Sequence, residues 1–261
     1  SFEKTLIALT DGGQIILPTG EVFIAHPPSD AEIKTWIRKP EEPEEPPAPP
    51  PPAAPEPSAP EPRDPSLVGH WKLDESARTA FAASGNDNTG VVVNDPPSVP
   101  GKVGGALAFN GVDRCIELPK SPMLDGVQNG GYTLACWFKP RSAPPANGAY
   151  SLLAKSPLPE GLTYRSDRTF AMDHWLADKA SVRAAGSNDH APDAFYHVAG
   201  VVNRAEGTVR LYVDGKLEAA VPFTPGTSAY AFGAESWKIG LTADGAVDDV
   251  RIYSRALSAS E

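Results

Sequence analysis

The chain has 261 residues, 41% hydrophobic and 21% charged, which is room for one or two ordinary globular domains. A formal charge of -10 and a pI near 5.0 exclude nucleic acid and anionic membrane as the main partner, and leave cations, neutral ligands and basic proteins. No apolar run approaches the roughly 20 residues that a membrane-crossing helix needs. The two cysteines, Cys115 and Cys136, lie in apolar, strand-like runs without metal-ligand spacing, so buried thiols are expected ahead of a disulfide.

Residues 1–39 predict a small β-rich segment. Residues 5–9 alternate as a strand and turn at Asp11-Gly12-Gly13; residues 14–17 and 21–25 follow, divided by the turn residues Pro18-Thr19-Gly20. Pro27-Pro28 stops the sheet, and Ser29 with Glu32 three residues later opens a short helix carrying Ile33, Trp36 and Ile37. Such a unit has a thin core and is expected to pack on a partner. In strand rhythm and Gly-Gly turns it resembles the end of a FecR-type envelope domain, a periplasmic signalling module. Residues 40–65 form a linker with seven acids against Arg63 alone. Its prolines fix the backbone dihedral and remove amide donors, so it is expected to be an extended spacer.

Residues 66–261 show short strands separated by Gly, Asn, Asp and Pro. They are expected at residues 68–75, 91–93, 106–109, 115–118, 132–139, 150–154, 195–202, 209–213, 216–219, 237–240 and 248–253. The run 132–139 is the strongest, with Leu134, Cys136 and Phe138 on one face and Ala135 and Trp137 on the other. Asp214-Gly215 between alternating arms predicts a two-residue hairpin. The first and last strands are expected to pair and close the domain. No long helical period appears, so the fold class is all-β: a two-sheet antiparallel sandwich.

Seven runs in order carry a family resemblance: residues 70–75 (HWKLDE), 84–88 (SGNDN), 109–113 (FNGVD), 133–140 (TLACWFKP), 197–200 (HVAG), 209–216 (VRLYVDGK) and 248–257 (DDVRIYSRAL). Together they resemble the bacterial laminin-G-like, concanavalin A-like jelly-roll domain. The resemblance implies two sheets face to face, termini close together, and a binding rather than catalytic role. Three departures stand out: Ala82 where relatives often carry an acid, Phe195-Tyr196 in place of Trp-His, and no apolar run after Ser258.

Chemistry is sparse. A glycan-cleaving site needs two carboxylates facing one sugar bond, and no Glu-x-Asp-x-x-Glu run occurs. Asp248 and Asp249 are expected on opposite faces of one strand, and His70, His174, His190 and His197 show no metal spacing. No enzyme is expected. Tyr164, Phe170, His174 and Trp175 crowd a polar segment with Arg165, Asp167, Arg168 and Asp173, a mixture that suits a sugar ring or a sandwich core equally. Asp74, Asn86, Asn88, Asp248 and Asp249 offer the oxygens a structural Ca2+ would take, and the family resemblance points the same way. The expectation is therefore a non-catalytic module binding a protein partner, or alternatively a carbohydrate. Its expected place is the periplasm, the cell envelope or the extracellular space, with the leader removed, since the chain opens on Ser1.

Overall fold

The computed structural model describes residues 14–16, 22–24, 64–74, 79–80, 82–155, 160–233 and 235–261. The contacts divide the chain into two units, residues 1–60 and 61–261. In the first unit, β1 (Gln14–Ile16) and β2 (Val22–Ile24) pair antiparallel, Gln14 opposite Ile24, as the alternation around Pro18-Thr19-Gly20 predicts. The expected strand at 5–9, the helix from Ser29, the FecR-type resemblance beyond this hairpin and nearly all of the proline-rich linker lie outside the described residues.

The second unit begins with β3 (Leu67–Trp71), then β4 (Thr79–Ala80), β5 (Gly90–Val93), β6 (Ser98–Pro100), β7 (Gly105–Asn110) and β8 (Cys115–Glu117). One helical turn follows, α1 (Pro122–Gly126), whose first turn is capped by the Ser121 hydroxyl accepting from Leu124 N. The chain continues through β9 (Tyr132–Pro140), β10 (Ala149–Lys155), β11 (Glu160–Arg165), β12 (Phe170–Trp175) and β13 (Ser181–Ala185). It ends with β14 (Tyr196–Asn203), β15 (Thr208–Val213), β16 (Lys216–Pro222), β17 (Trp237–Ile239) and β18 (Asp244–Tyr253).

Two antiparallel sheets result. The first is ordered β13-β12-β11-β10-β17-β8-β5-β4, the second β16-β15-β14-β9-β18-β7-β6 with β3 also paired to β18. Trp71, Phe109, Leu134, Phe138, Tyr164, Phe170 and Trp237 fill the space between them, each at most 1% exposed. Cys115 and Cys136 are both buried free thiols, and burial, with Asp248 and Asp249 nearby, pushes the Cys136 thiol up to about 12. Among the described residues no helix is long and apolar enough to cross a membrane.

The first and last strands do pair: Trp71 lies opposite Val250 and His70 opposite Arg251. The strand starting at 68 is shorter than its alternation suggests, because Leu73 turns the chain at φ 61°. The last is longer than the expected 248–253, since β18 already begins at Asp244. Strands β11, β12 and β13 go unpredicted. Their outward positions carry Thr163, Arg165, Asp173 and Arg183, and that polarity masks the inward alternation of Leu162, Tyr164, Phe170 and Met172.

Candidate binding grooves and the acid cluster

A β-bulge in β18 sets the acids apart. Three residue steps from Asp248 to Arg251 oppose only two from Trp137 to Ala135 on β9, and Asp249 takes φ 48°. The extra residue returns Val250 and Ile252 to the core side on which Val247 lies. The expectation that Asp248 and Asp249 alternate across a regular strand therefore fails at the bulge. What separates them is their partners. Asp248 Oδ2 accepts from the backbone amides of Lys102 and Val103 at 2.7 and 2.8 Å, while Oδ1 is buried without a hydrogen-bond partner. Burial, only partly offset by the two amides, holds the Asp248 carboxyl above the usual range. Asp249 Oδ1 lies 2.5 Å from His70 Nε2 and its Oδ2 2.9 Å from Arg251 Nη2. Burial would raise Asp249, but these two partners hold it below the ordinary value.

The five residues expected around calcium do not form one oxygen cage. Asp74 holds the same loop that Asp248 does, residues 102–105, its Oδ1 accepting from Gly105 N at 2.6 Å. A Cβ on Gly104 would approach that oxygen to 2.4 Å, so the loop closes on Asp74 only with glycine there. Asn86 and Asn88 turn their amide nitrogens onto the Val68 carbonyl, both at 2.9 Å, and the remaining Asn88 oxygen accepts from Ser121. Both asparagines therefore pin a turn onto β3. Among the described residues no three His, Cys, Asp or Glu side chains gather to hold a metal. Of the five, Asn86 and Asn88 are thus spent on β3 and Asp249 on His70 and Arg251.

The three aromatics expected at a ligand also separate. Tyr164 lies in the core, its hydroxyl donating to His190 O at 2.7 Å, and burial pushes it up to about 12. His174 is 1% exposed, with Nδ1 2.9 Å from Glu160 Oε1. The same carboxylate accepts from the Tyr132 hydroxyl and, through Oε2, from Trp175 N at 2.7 Å. Tyr164 and His174 thus belong to the core, because strand alternation turns them inward. Trp175, half-buried at the end of β12, keeps one edge near the surface.

Grooves lie on the outer faces of both sheets. On the second sheet a cavity of about 270 Å³ has a floor of Thr133, Ala135, Ala199 and Val201. Its walls are Tyr212 of β15, Tyr253 and Arg251 of β18 and His197 of β14, all half-buried. His197 packs on Trp137 of β9, with ring centroids 5.1 Å apart, and Lys102 Nζ stands 5.1 Å from the Trp137 ring. Burial, reinforced by Arg251, lowers His197, so its imidazole is neutral at neutral pH. The segment from Leu257 to Glu261 forms the rim. Glu261 is pushed down to about 2, chiefly by Arg255, whose Nη2 lies 2.6 Å away.

On the first sheet a larger groove, about 610 Å³, opens over Ser151, Thr163, Arg165, Asp173 and Arg183. Arg183 Nε donates to Asp173 Oδ1 at 2.6 Å, and Arg165 pairs with Asp167 at 3.4 Å. Of the polar residues singled out in the sequence around residue 170, Arg165, Asp167 and Asp173 face one space, whereas Arg168 pairs with Asp189 at 2.6 Å, and Tyr164, Phe170 and His174 face the core. The second-sheet groove went unread in the sequence. Its only signal was the outward set of the alternation, Trp137, Tyr212, Arg251 and Tyr253, spread over three strands.

The sequence pattern of the concanavalin A-like lectin/glucanases superfamily (Laminin_G_3) matches residues 110–261. Among solved structures, the binding domain of Paraclostridial Mosquitocidal Protein 1 superposes with a TM-score of 0.62 at 14% identity, over 75% of this chain and 50% of that one. Domain 4 of AbnA, an extracellular arabinanase from Geobacillus stearothermophilus solved with arabinotriose, gives 0.53 at 18%, over 75% and 95%. A botulinum neurotoxin type C structure whose cell entry depends on two ganglioside molecules gives 0.59 at 13%, over 75% and 49%. This chain therefore spans about half the length of the toxin chains it resembles. At these identities the likeness is one of fold. No curated protein sequence matches.

Proposed function

The chain belongs to the concanavalin A-like lectin/glucanases superfamily, and from that premise we propose that it is a non-catalytic module binding a carbohydrate in the second-sheet groove. One observation carries the reading: Tyr212, Tyr253 and His197 stand half-exposed around a floor of small residues. Aromatic walls offer a sugar ring its apolar face, and the neighbouring polar groups take its hydroxyls. The ionised Glu261 on the rim and the Asp249 partner of Arg251 disfavour an anionic ligand. Glu261 is the one carboxylate lining this groove among the described residues, so it lacks the facing pair that hydrolysis requires. The arabinotriose named for one of the similar structures is consistent with this reading. A protein partner, the other class expected from sequence, is less favoured. The large exposed apolar side chains, Val91, Val103, Val112, Met123 and Leu217, come from separate strands and loops. Such a module works outside the cytoplasm, in the periplasm, envelope or medium.

A glycan array followed by calorimetry tests the proposal. Tyr212→Ala and Tyr253→Ala should each weaken binding about tenfold, the equivalent of about 1.4 kcal/mol, without lowering the melting temperature. Affinity untouched by both changes would defeat the assigned site. Release of new reducing ends from the bound glycan would defeat the non-catalytic reading.

A further inference from the structure

We infer that the first-sheet groove is a second saccharide site, independent of the first, which binds a neutral, hydroxyl-rich segment edge-on by hydrogen bonds alone. The groove is built on the rigid part of the fold. Ser151 of β10 lies opposite Thr163 of β11, and Asp173 of β12 lies opposite Arg183 of β13, so four neighbouring strands present their side chains to one space. The central group is Asp173, 1% exposed, charged, and opening onto a cavity of about 610 Å³. A carboxylate so buried needs partners. Arg183 satisfies Oδ1 at 2.6 Å, but Oδ2 has only the Thr163 hydroxyl at 3.5 Å, the outer limit of a hydrogen bond. That oxygen is an acceptor with capacity to spare, on a residue that lines the groove.

The charges decide the class of ligand. Arg183 is matched by Asp173 and Arg165 by Asp167, so the groove is neutral as a whole. An anionic or cationic guest would have to compete with an existing ion pair. A hydroxyl group instead donates to Asp173 and accepts from a guanidinium without breaking either pair. Ser151, Thr163, Ser166 and Asn147 add hydroxyl and amide groups of the same neutral character. Among the described residues no aromatic side chain lines the groove, so a ring meets it by its hydroxyl edge. The volume accommodates a short oligosaccharide segment.

The experiment is an amide-resolved NMR titration of the full chain with neutral trisaccharides (arabinotriose, xylotriose, maltotriose) and with an acidic one, sialyllactose. The expected result is that a neutral trisaccharide shifts the amides of Ser151, Thr163, Asp173 and Arg183, in wild-type and in Tyr212→Ala protein alike. Asp173→Asn should weaken those shifts about tenfold. Should that variant fail to fold, Arg165→Gln, a change at a more exposed side chain, should weaken them several-fold. Three results overturn the site: no shift of these amides with any neutral sugar, shifts with sialyllactose only, or unchanged affinity in both variants. The two grooves fail separately. If Tyr212→Ala and Tyr253→Ala change nothing while these amides respond, the second-sheet reading falls and this one stands, and the converse pattern does the opposite.

Discussion

Asp248 is held through one oxygen by two backbone amides and has nothing to hold it through the other. Replacing it with Asn keeps an acceptor for Lys102 and Val103 and removes the buried charge, whereas Ala leaves both amides without their acceptor and should cost about 1–3 kcal/mol. The pH dependence follows from the raised carboxyl. A folded value above the unfolded one means the fold binds the proton more tightly, so this contribution is fully present below the unfolded value and lost as pH rises through the folded one. Relative to Asp248→Asn, wild-type protein should therefore gain stability as pH falls from about 7 to about 4, measured by urea midpoints. An opposite slope would show that the carboxylate is stabilised as an anion. The same residue tests the cation. Calcium takes six to eight oxygens, and Asn86, Asn88 and Asp249 are committed elsewhere. Melting of stripped protein should be indifferent to calcium; a rise that disappears in Asp248→Ala would establish a site built on its free oxygen.

The hairpin of β15 and β16 and the bulge in β18 show how elements set the two outer faces. Asp214 and Gly215 both take positive φ, 49° and 74°, the requirement of a type I′ turn, and Asp214 Oδ1 accepts from His197 N at 2.9 Å. The turn thus fixes β15 and ties it to β14, which places Tyr212 and His197 on the two sides of one groove. A valine at position 215 meets no atom, yet it must adopt a conformation that β-branched residues avoid. Gly215→Val should cost about 1–3 kcal/mol in chemical denaturation, and an unchanged midpoint would mean that the turn relaxes to another type. The bulge does the corresponding work on the other side. By inserting one residue at Asp249 it keeps Val250 and Ile252 in the core and leaves Arg251 and Tyr253 outside, facing the groove.

Within the second unit, Arg255 ties its first described residues to its last. It donates to Asp64 at 2.7 Å and to Glu261 at 2.6 Å, beside the pairing of β3 with β18. These groups are substantially exposed, so Arg255→Ala should cost less than about 1 kcal/mol, and less again in high salt. Its larger effect should fall on sugar affinity at the second-sheet groove, because the rim from Leu257 to Glu261 loses its anchor; calorimetry and denaturation on one variant separate the two. Much of this architecture is legible in the chain alone. Period-two alternation marked β9, β14, β15 and β18, Asp-Gly marked the hairpin, and the ordered motifs marked a jelly roll, because each is a local consequence of pleat, turn geometry or burial. Alternation failed where both sides of a strand carry mixed residues, as in β11 to β13, and where a bulge shifts the count by one, as at Asp249. Sites were less legible still. Tyr164 and His174 looked like ligand contacts because the sequence places them beside Arg165 and Asp173; the pleat sends the two sets to opposite faces. Which outward side chains share a groove depends on strand order, and strand order is decided by long-range pairing: β18 between β7 and β9, β17 between β8 and β10. Residues as distant as Ala135, Tyr212 and Tyr253 share a groove only when the second sheet is assembled, so only the tertiary structure could bring them together.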